Sequence, residues 1–126
     1  MSDSHTIMNY VELPAVGLDE TKAFYQQAFG FTWIDYGPTY AGYSGPNVEC
    51  GLSTEATPAP AHEPGAESAI GPLILFGTDN LDHALNQVTA AGGAIVSGPY
   101  GYPGGRRFHF RDPSGNILGV YQSDAE

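Results

Sequence analysis

The chain has 126 residues and sets 14 Asp and Glu against 4 Lys and Arg, a net charge of −10 at pH 7. That balance argues against nucleic acid or an anionic membrane as partner, because both reward clustered positive charge. The length and a hydrophobic fraction of 41% suit one domain over residues 1–126 that buries a core without disulfides or a structural metal. Cys50 has no second cysteine to pair with, and MSDSHTIMNY carries neither a basic nor an apolar leader segment; a cytoplasmic protein is the expectation.

Residues 8–13, MNYVEL, have the length of a strand. In GLDETKAFYQQAFG the residues Leu18, Thr21, Tyr25 and Ala28 recur on one helical face, joined by Phe24 and Phe29. Asp19 and Glu20 suit the first turn of that helix and Gly30 its end. FTWIDY, TYAGYS and NVECGLS follow as three strand candidates, punctuated by Gly37-Pro38 and Gly45-Pro46. Residues 54–71, rich in Pro, Ala and Glu, lack apolar periodicity and read as a linker.

The pattern then recurs. PLILFGT is a strand candidate, and NLDHALNQVTAAGG places Leu81, Ala84, Leu85, Val88 and Ala91 on one helical face before Gly92 and Gly93. AIVSG, RRFHFRD and NILGVYQ supply three more strands, with GPYGYPGG and DPSGN as turns; the first of these turns, with Tyr100 and Tyr102, has the composition of a mobile lid. A shift of 63 carries Leu18 to Leu81, Asp19 to Asp82, Tyr25 to Val88, Ala28 to Ala91 and Gly30 to Gly93. The expected fold is α+β: two tandem βαβββ modules, about 6–53 and 72–122, forming one curved mixed sheet, an open barrel with helices outside. Its concave side is the expected pocket.

The runs NYVELPAVGLDETKAFYQQAFGF, GPLILFGTDNLDHALNQVTAAGG and GGRRFHFRDPSGNILGVYQ together resemble the vicinal oxygen chelate superfamily of glyoxalases, extradiol dioxygenases, fosfomycin-modifying enzymes and bleomycin-sequestering proteins. The resemblance implies a divalent metal held by His, Glu or Gln from the first and last strands of each module. At the matching positions this chain carries Tyr10, Gly51, Leu73 and Gly119. None of the four is such a ligand, so no metal and no other cofactor is expected. Glu12 and Glu49 share a face with those positions and could hold a hard cation or act as acid and base. Without a histidine in register, a ligand-orienting role for one of them is the simpler account.

Positive charge gathers in one place: Arg106, Arg107 and Arg111 are three of the four Lys and Arg residues. Alternation places Arg107, His109 and Arg111 on one side of a strand and Arg106 on the other. A pocket role suits Arg107 and His109, toward an anionic or carbonyl-bearing molecule. Arg111, beside the DPSG turn, reads as structural, with Asp112, Asp35 or Glu49 as neutralising partners for the stripe. His5, His62 and His83 fall in the terminus, the linker and a polar helix face, and Cys50 reads as an inert thiol.

The function expected is binding of a small organic ligand by a homodimer, with Tyr10, Glu12, Arg107, His109 and Tyr121 as ligand-binding residues. Two alternatives stay open. One is a divergent lyase or dioxygenase using Tyr10, Glu12 or His109, and the other is a regulatory module with a vestigial pocket.

Overall fold

Apolar spacing, an acidic first turn and a terminal glycine yield the first helix, α1, over Leu18–Phe29. Gly30 caps it in the left-handed conformation, φ 76°, which a residue without Cβ adopts freely. Thr21, Phe24, Tyr25 and Ala28 form its buried face. The second helix, α2, Leu81–Ala90, begins at Asn80, whose side chain accepts from the His83 N–H, and it buries Leu81, Ala84 and Val88. The computed structural model describes residues 6, 8–46, 48–55 and 72–124. His5, His62 and most of the expected linker lie outside the described residues.

Eight strands complete the chain: β1 Tyr10–Pro14, β2 Ile34–Asp35, β3 Tyr40–Ser44, β4 Glu49–Ser53, β5 Leu75–Gly77, β6 Ala94–Tyr102, β7 Gly105–Arg111 and β8 Ile117–Ser123. The two-module α+β architecture is present. Its strands form two four-stranded ladders, β1-β4-β3-β2 and β5-β8-β7-β6, each with one parallel pair at its start, β1 with β4 and β5 with β8. No helix among the described residues is long and apolar enough to cross a membrane.

One expected turn is a strand. GPYGYPGG does not form a loop over a pocket, because β6 continues through Tyr102 and pairs Tyr100 with Arg107 and Tyr102 with Gly105. The ladder is irregular between Ile95 and Tyr100. Gly98 sits there at φ 86°, where a Cβ would lie 2.8 Å from the Arg107 carbonyl oxygen. A glycine-rich sequence thus encodes a bulge rather than an open loop.

The helix-side faces of both ladders meet in one core. Leu13 and Leu52 from the first ladder, Phe108, Phe110, Leu118 and Val120 from the second, and Phe24, Tyr25, Leu81 and Val88 from the helices belong to a single cluster. Phe29 and Phe76 pack with ring centroids 4.8 Å apart, so α1 touches the second module as well as its own. Polar contacts add to this seam. Buried Asp112, 3% exposed, accepts at Oδ1 from the Ser114 and Asn116 N–H groups, each at 2.9 Å. Its Oδ2 accepts from the Tyr25 hydroxyl at 2.7 Å and from Asn116 Nδ2 at 3.0 Å. Asn116 Nδ2 also donates to the Pro14 carbonyl, and Ser114 Oγ meets both the Val16 N–H and the Thr21 hydroxyl. The DPSGN turn of the second module is therefore bolted to the β1–α1 corner of the first.

Candidate functional site

Since Phe108 and Phe110 face the shared core, strand alternation turns Arg107, His109 and Arg111 to the opposite face of the second ladder. There Arg107 stands beside Tyr121 and His109 beside Gly119. Leu75, the β5 partner of Gly119, leans with His109 over that glycine, where any Cβ would collide with the Leu75 side chain. The expected partition holds. Arg106, on the core side, lies 3.7 Å from Asp82 at the edge of α2.

The cationic stripe is organised by tyrosines from β6. Arg107 Nε donates to the Tyr100 hydroxyl at 2.6 Å, and the same oxygen is 3.2 Å from His109 Nε2. The guanidinium carbon also lies 5.5 Å and 5.4 Å from the ring centres of Tyr100 and Tyr102, within cation–π range. Burial, helped by the positive charge of Arg107, lowers the His109 pKa below 6.5, so the ring is neutral at pH 7. The carboxylates named as neutralising partners are committed elsewhere or exposed: Asp35 pairs with Lys22, Asp112 serves the seam, and Glu49 is exposed on the other ladder.

On the first ladder the same alternation turns Tyr10, Glu12, Glu49 and Gly51 away from the core. The register sets Glu12, not Tyr10, opposite Gly51, while Tyr10 stands opposite Glu49. The Tyr10 and Tyr40 hydroxyls meet at 2.5 Å above Gly51. Burial, then hydrogen bonding to Tyr10 and Glu12, keeps the Tyr40 phenol well above its ordinary range. An added Cβ at Gly51 would strike that phenol. Glycine here makes room for two rings.

A cavity of about 940 Å³ runs along β5. Val11, Leu13, Phe29, Phe31, Tyr43, Phe76 and Val120 give it a mainly apolar, aromatic wall, and Gln27, Gln87 and His83 line its helix side. Of the five residues expected to bind ligand, Tyr121 lines it and Tyr10, Glu12, Arg107 and His109 do not. Leu75 and Tyr121 belong both to this cleft and to the stripe-bearing face, so the two meet at the β5–β8 margin. Phe76 and Val120 turn the rest of the cleft toward the core side, and the arginines of β7 lie outside its wall. Cys50 is also in its wall, and burial pushes its thiol up to about 11. No sequence pattern announces the cleft, because its walls come from α1, α2 and both ladders and exist only after the modules pack.

The model of the Glyoxalase/Bleomycin resistance protein/Dioxygenase superfamily matches residues 7–120, nearly the whole chain. The chain belongs to that superfamily. An uncharacterised protein of Mycolicibacterium smegmatis (strain ATCC 700084 / mc(2)155) is 34% identical over 122 residues, 96% of each chain. Among solved structures, a superfamily enzyme from Burkholderia phytofirmans PsJN superposes with TM-score 0.74 at 22% identity, over 94% of this chain and 99% of that one. TnmS3, an antibiotic binding protein from Streptomyces sp. CB03234, gives 0.71 at 24% identity, over 98% and 100%. At such identities the structural likeness establishes the fold, and function has to be argued from this superfamily member's own site.

A divalent metal of the kind used by the superfamily's enzymes does not fit the donors present. Among the described residues no three His, Cys, Asp or Glu side chains converge. Gly51 and Gly119 offer no side chain, Leu75 faces Gly119, and Glu12 stands opposite Gly51, in no such trio among the described residues. Leu73, expected within the first strand of the second module, precedes β5.

Proposed function

We propose that this superfamily member is a metal-independent binder of a small, flat, largely apolar organic molecule. The observation that carries the reading is the cleft of about 940 Å³ with aromatic walls, near the upper end of the roughly 300–1,000 Å³ usual for small-molecule sites. Phe29, Phe31, Tyr43, Phe76 and Tyr121 line the cleft and supply apolar aromatic contact, with Phe31 and Tyr43 already stacked on each other at 4.0 Å. Arg107 and His109 stand at the adjoining edge to orient a polar substituent, and Tyr10 and Glu12 serve a second polar face. That no donor trio converges among the described residues favours binding over metal-assisted chemistry.

The working form is a homodimer. Ile34 and Tyr36 are exposed by 54% and 65% at the β2 edge of the first ladder, an apolar margin that a second copy would cover. Light scattering at micromolar concentration is expected to give twice the chain mass, and a strictly monomeric mass contradicts this part of the proposal.

The binding reading is tested by calorimetric titration with 1-naphthamide, a neutral flat probe, after dialysis against EDTA. A saturable, one-to-one isotherm unchanged by added zinc, nickel or manganese is the expected result. Binding that appears only with metal, or one tight equivalent of metal taken up by the protein itself, refutes it.

A further inference from the structure

The chain carries 14 acidic side chains and four Lys or Arg, so every cation ought to find a carboxylate with ease. Two do. Lys22 pairs with Asp35 and Arg106 with Asp82, both toward solvent. Arg107 and Arg111 have no carboxylate partner among the described residues, although they share one strand face. Arg107 is held by neutral tyrosines. Arg111 is less satisfied still: its Nε and Nη2 are buried and make no hydrogen bond. Asp112, adjacent in sequence, turns away from it to serve Tyr25, Ser114 and Asn116.

A buried guanidinium N–H without an acceptor is costly, and such groups are rare enough in native proteins that each calls for an explanation, a bound ion or a functional role among them. The assignment of Arg111 to a structural pairing is therefore not upheld by its surroundings. The geometry points to Arg107, His109 and Arg111 as a receiving strip for the single carboxylate of an aromatic acid, with Arg111 as the buried anchor. This assignment rests on the binding reading above and adds the charge class of the ligand.

Each element of the strip has a part in that recognition. The planar guanidinium offers parallel N–H groups that match a carboxylate. His109, neutral and bonded to Tyr100, contributes a hydrogen bond rather than charge. Leu75 and Tyr121, half-buried on the same face, provide apolar contact for a ring, with Tyr121 opposite Arg107. A multiply charged anion is disfavoured by the field of a chain with net charge −10, which two arginines offset only locally.

The test compares 1-naphthoate with its neutral isostere 1-naphthamide by calorimetry on the full chain, with circular dichroism to confirm that each variant is folded. The parent is expected to bind the acid at least tenfold more tightly than the amide. R111Q and R107Q should each weaken naphthoate by about ten- to a hundredfold while leaving the amide unchanged. R106Q, on the opposite face, should alter neither. In the parent the His109 titration, followed by NMR, should move upward with naphthoate and stay put with naphthamide. Equal affinity for acid and amide overturns the carboxylate strip and leaves the binding reading intact, whereas failure of both probes to bind at millimolar concentration removes both. If R111Q does not fold, the R107Q comparison and the His109 titration decide. Loss of the dimer in R107Q or R111Q with unchanged naphthoate affinity also overturns the proposal, because the strip then serves a subunit contact.

Discussion

Replacing Tyr25 by phenylalanine removes one oxygen from the seam between the modules and leaves the ring packing in place. The lost bond runs from a fully buried phenol to a carboxylate that is 3% exposed, at 2.7 Å. Asp112 keeps three other donors, Ser114 N, Asn116 N and Asn116 Nδ2. One bond to a charged group is thus removed without leaving the carboxylate bare, and about 2 kcal/mol of destabilisation at pH 7 is expected. With a urea slope of about 1.5 kcal/mol/M, the unfolding midpoint falls by roughly 1.3 M.

The loss has a pH signature. Burial raises the Asp112 pKa above 3.8, against its hydrogen bonds, so the stability this group contributes is complete below 3.8 and declines as pH rises through the folded value. The Tyr25 bond favours the ionised carboxylate, and its removal raises that folded value further. The Y25F penalty is therefore larger where Asp112 is ionised and shrinks as pH falls. Urea unfolding of parent and variant at pH 7 and pH 4 measures it. A penalty under 0.5 kcal/mol at pH 7, or one that grows toward pH 4, refutes the role given to the Tyr25–Asp112 bond.

Two further outcomes follow from other parts of the molecule. G105A should cost about 2 kcal/mol or more in urea unfolding, because its Cβ would run into the Gln122 backbone carbonyl across the β7–β8 ladder, and a change under 0.5 kcal/mol contradicts that contact. Cys50, its thiol pushed up to about 11, should react with iodoacetamide at a rate that climbs roughly tenfold per pH unit from 7 to 10. A plateau near pH 8.5 would mean an ordinary, solvated thiol.

The repeat was legible because each module writes its helix in a 3.6-residue period and closes it with glycine. Gly30 takes the left-handed conformation the sequence suggested, and the face Thr21, Phe24, Tyr25, Ala28 is the buried one. The stripe was legible too, since strand alternation needs only the identity of neighbours, and Phe108 and Phe110 settle which way Arg107 and His109 point. GPYGYPGG misled because glycine and proline mark both turns and bulges, and only pairing with β7 distinguishes them. Asp112 looked like a partner for arginine when judged by sequence proximity. Its actual donors include Tyr25, 87 residues earlier, a contact that exists only once the modules dock. The cleft is hidden for the same reason, with walls drawn from both helices and both ladders.

Amide NMR mapping of the EDTA-treated protein with saturating 1-naphthamide tests the central claim most directly. Shifts are expected to concentrate at Phe29, Phe31, Tyr43, Cys50, Phe76 and Tyr121, the walls of the cleft along β5. Shifts scattered over the surface, or none at millimolar probe, would contradict a metal-independent small-molecule site in this fold.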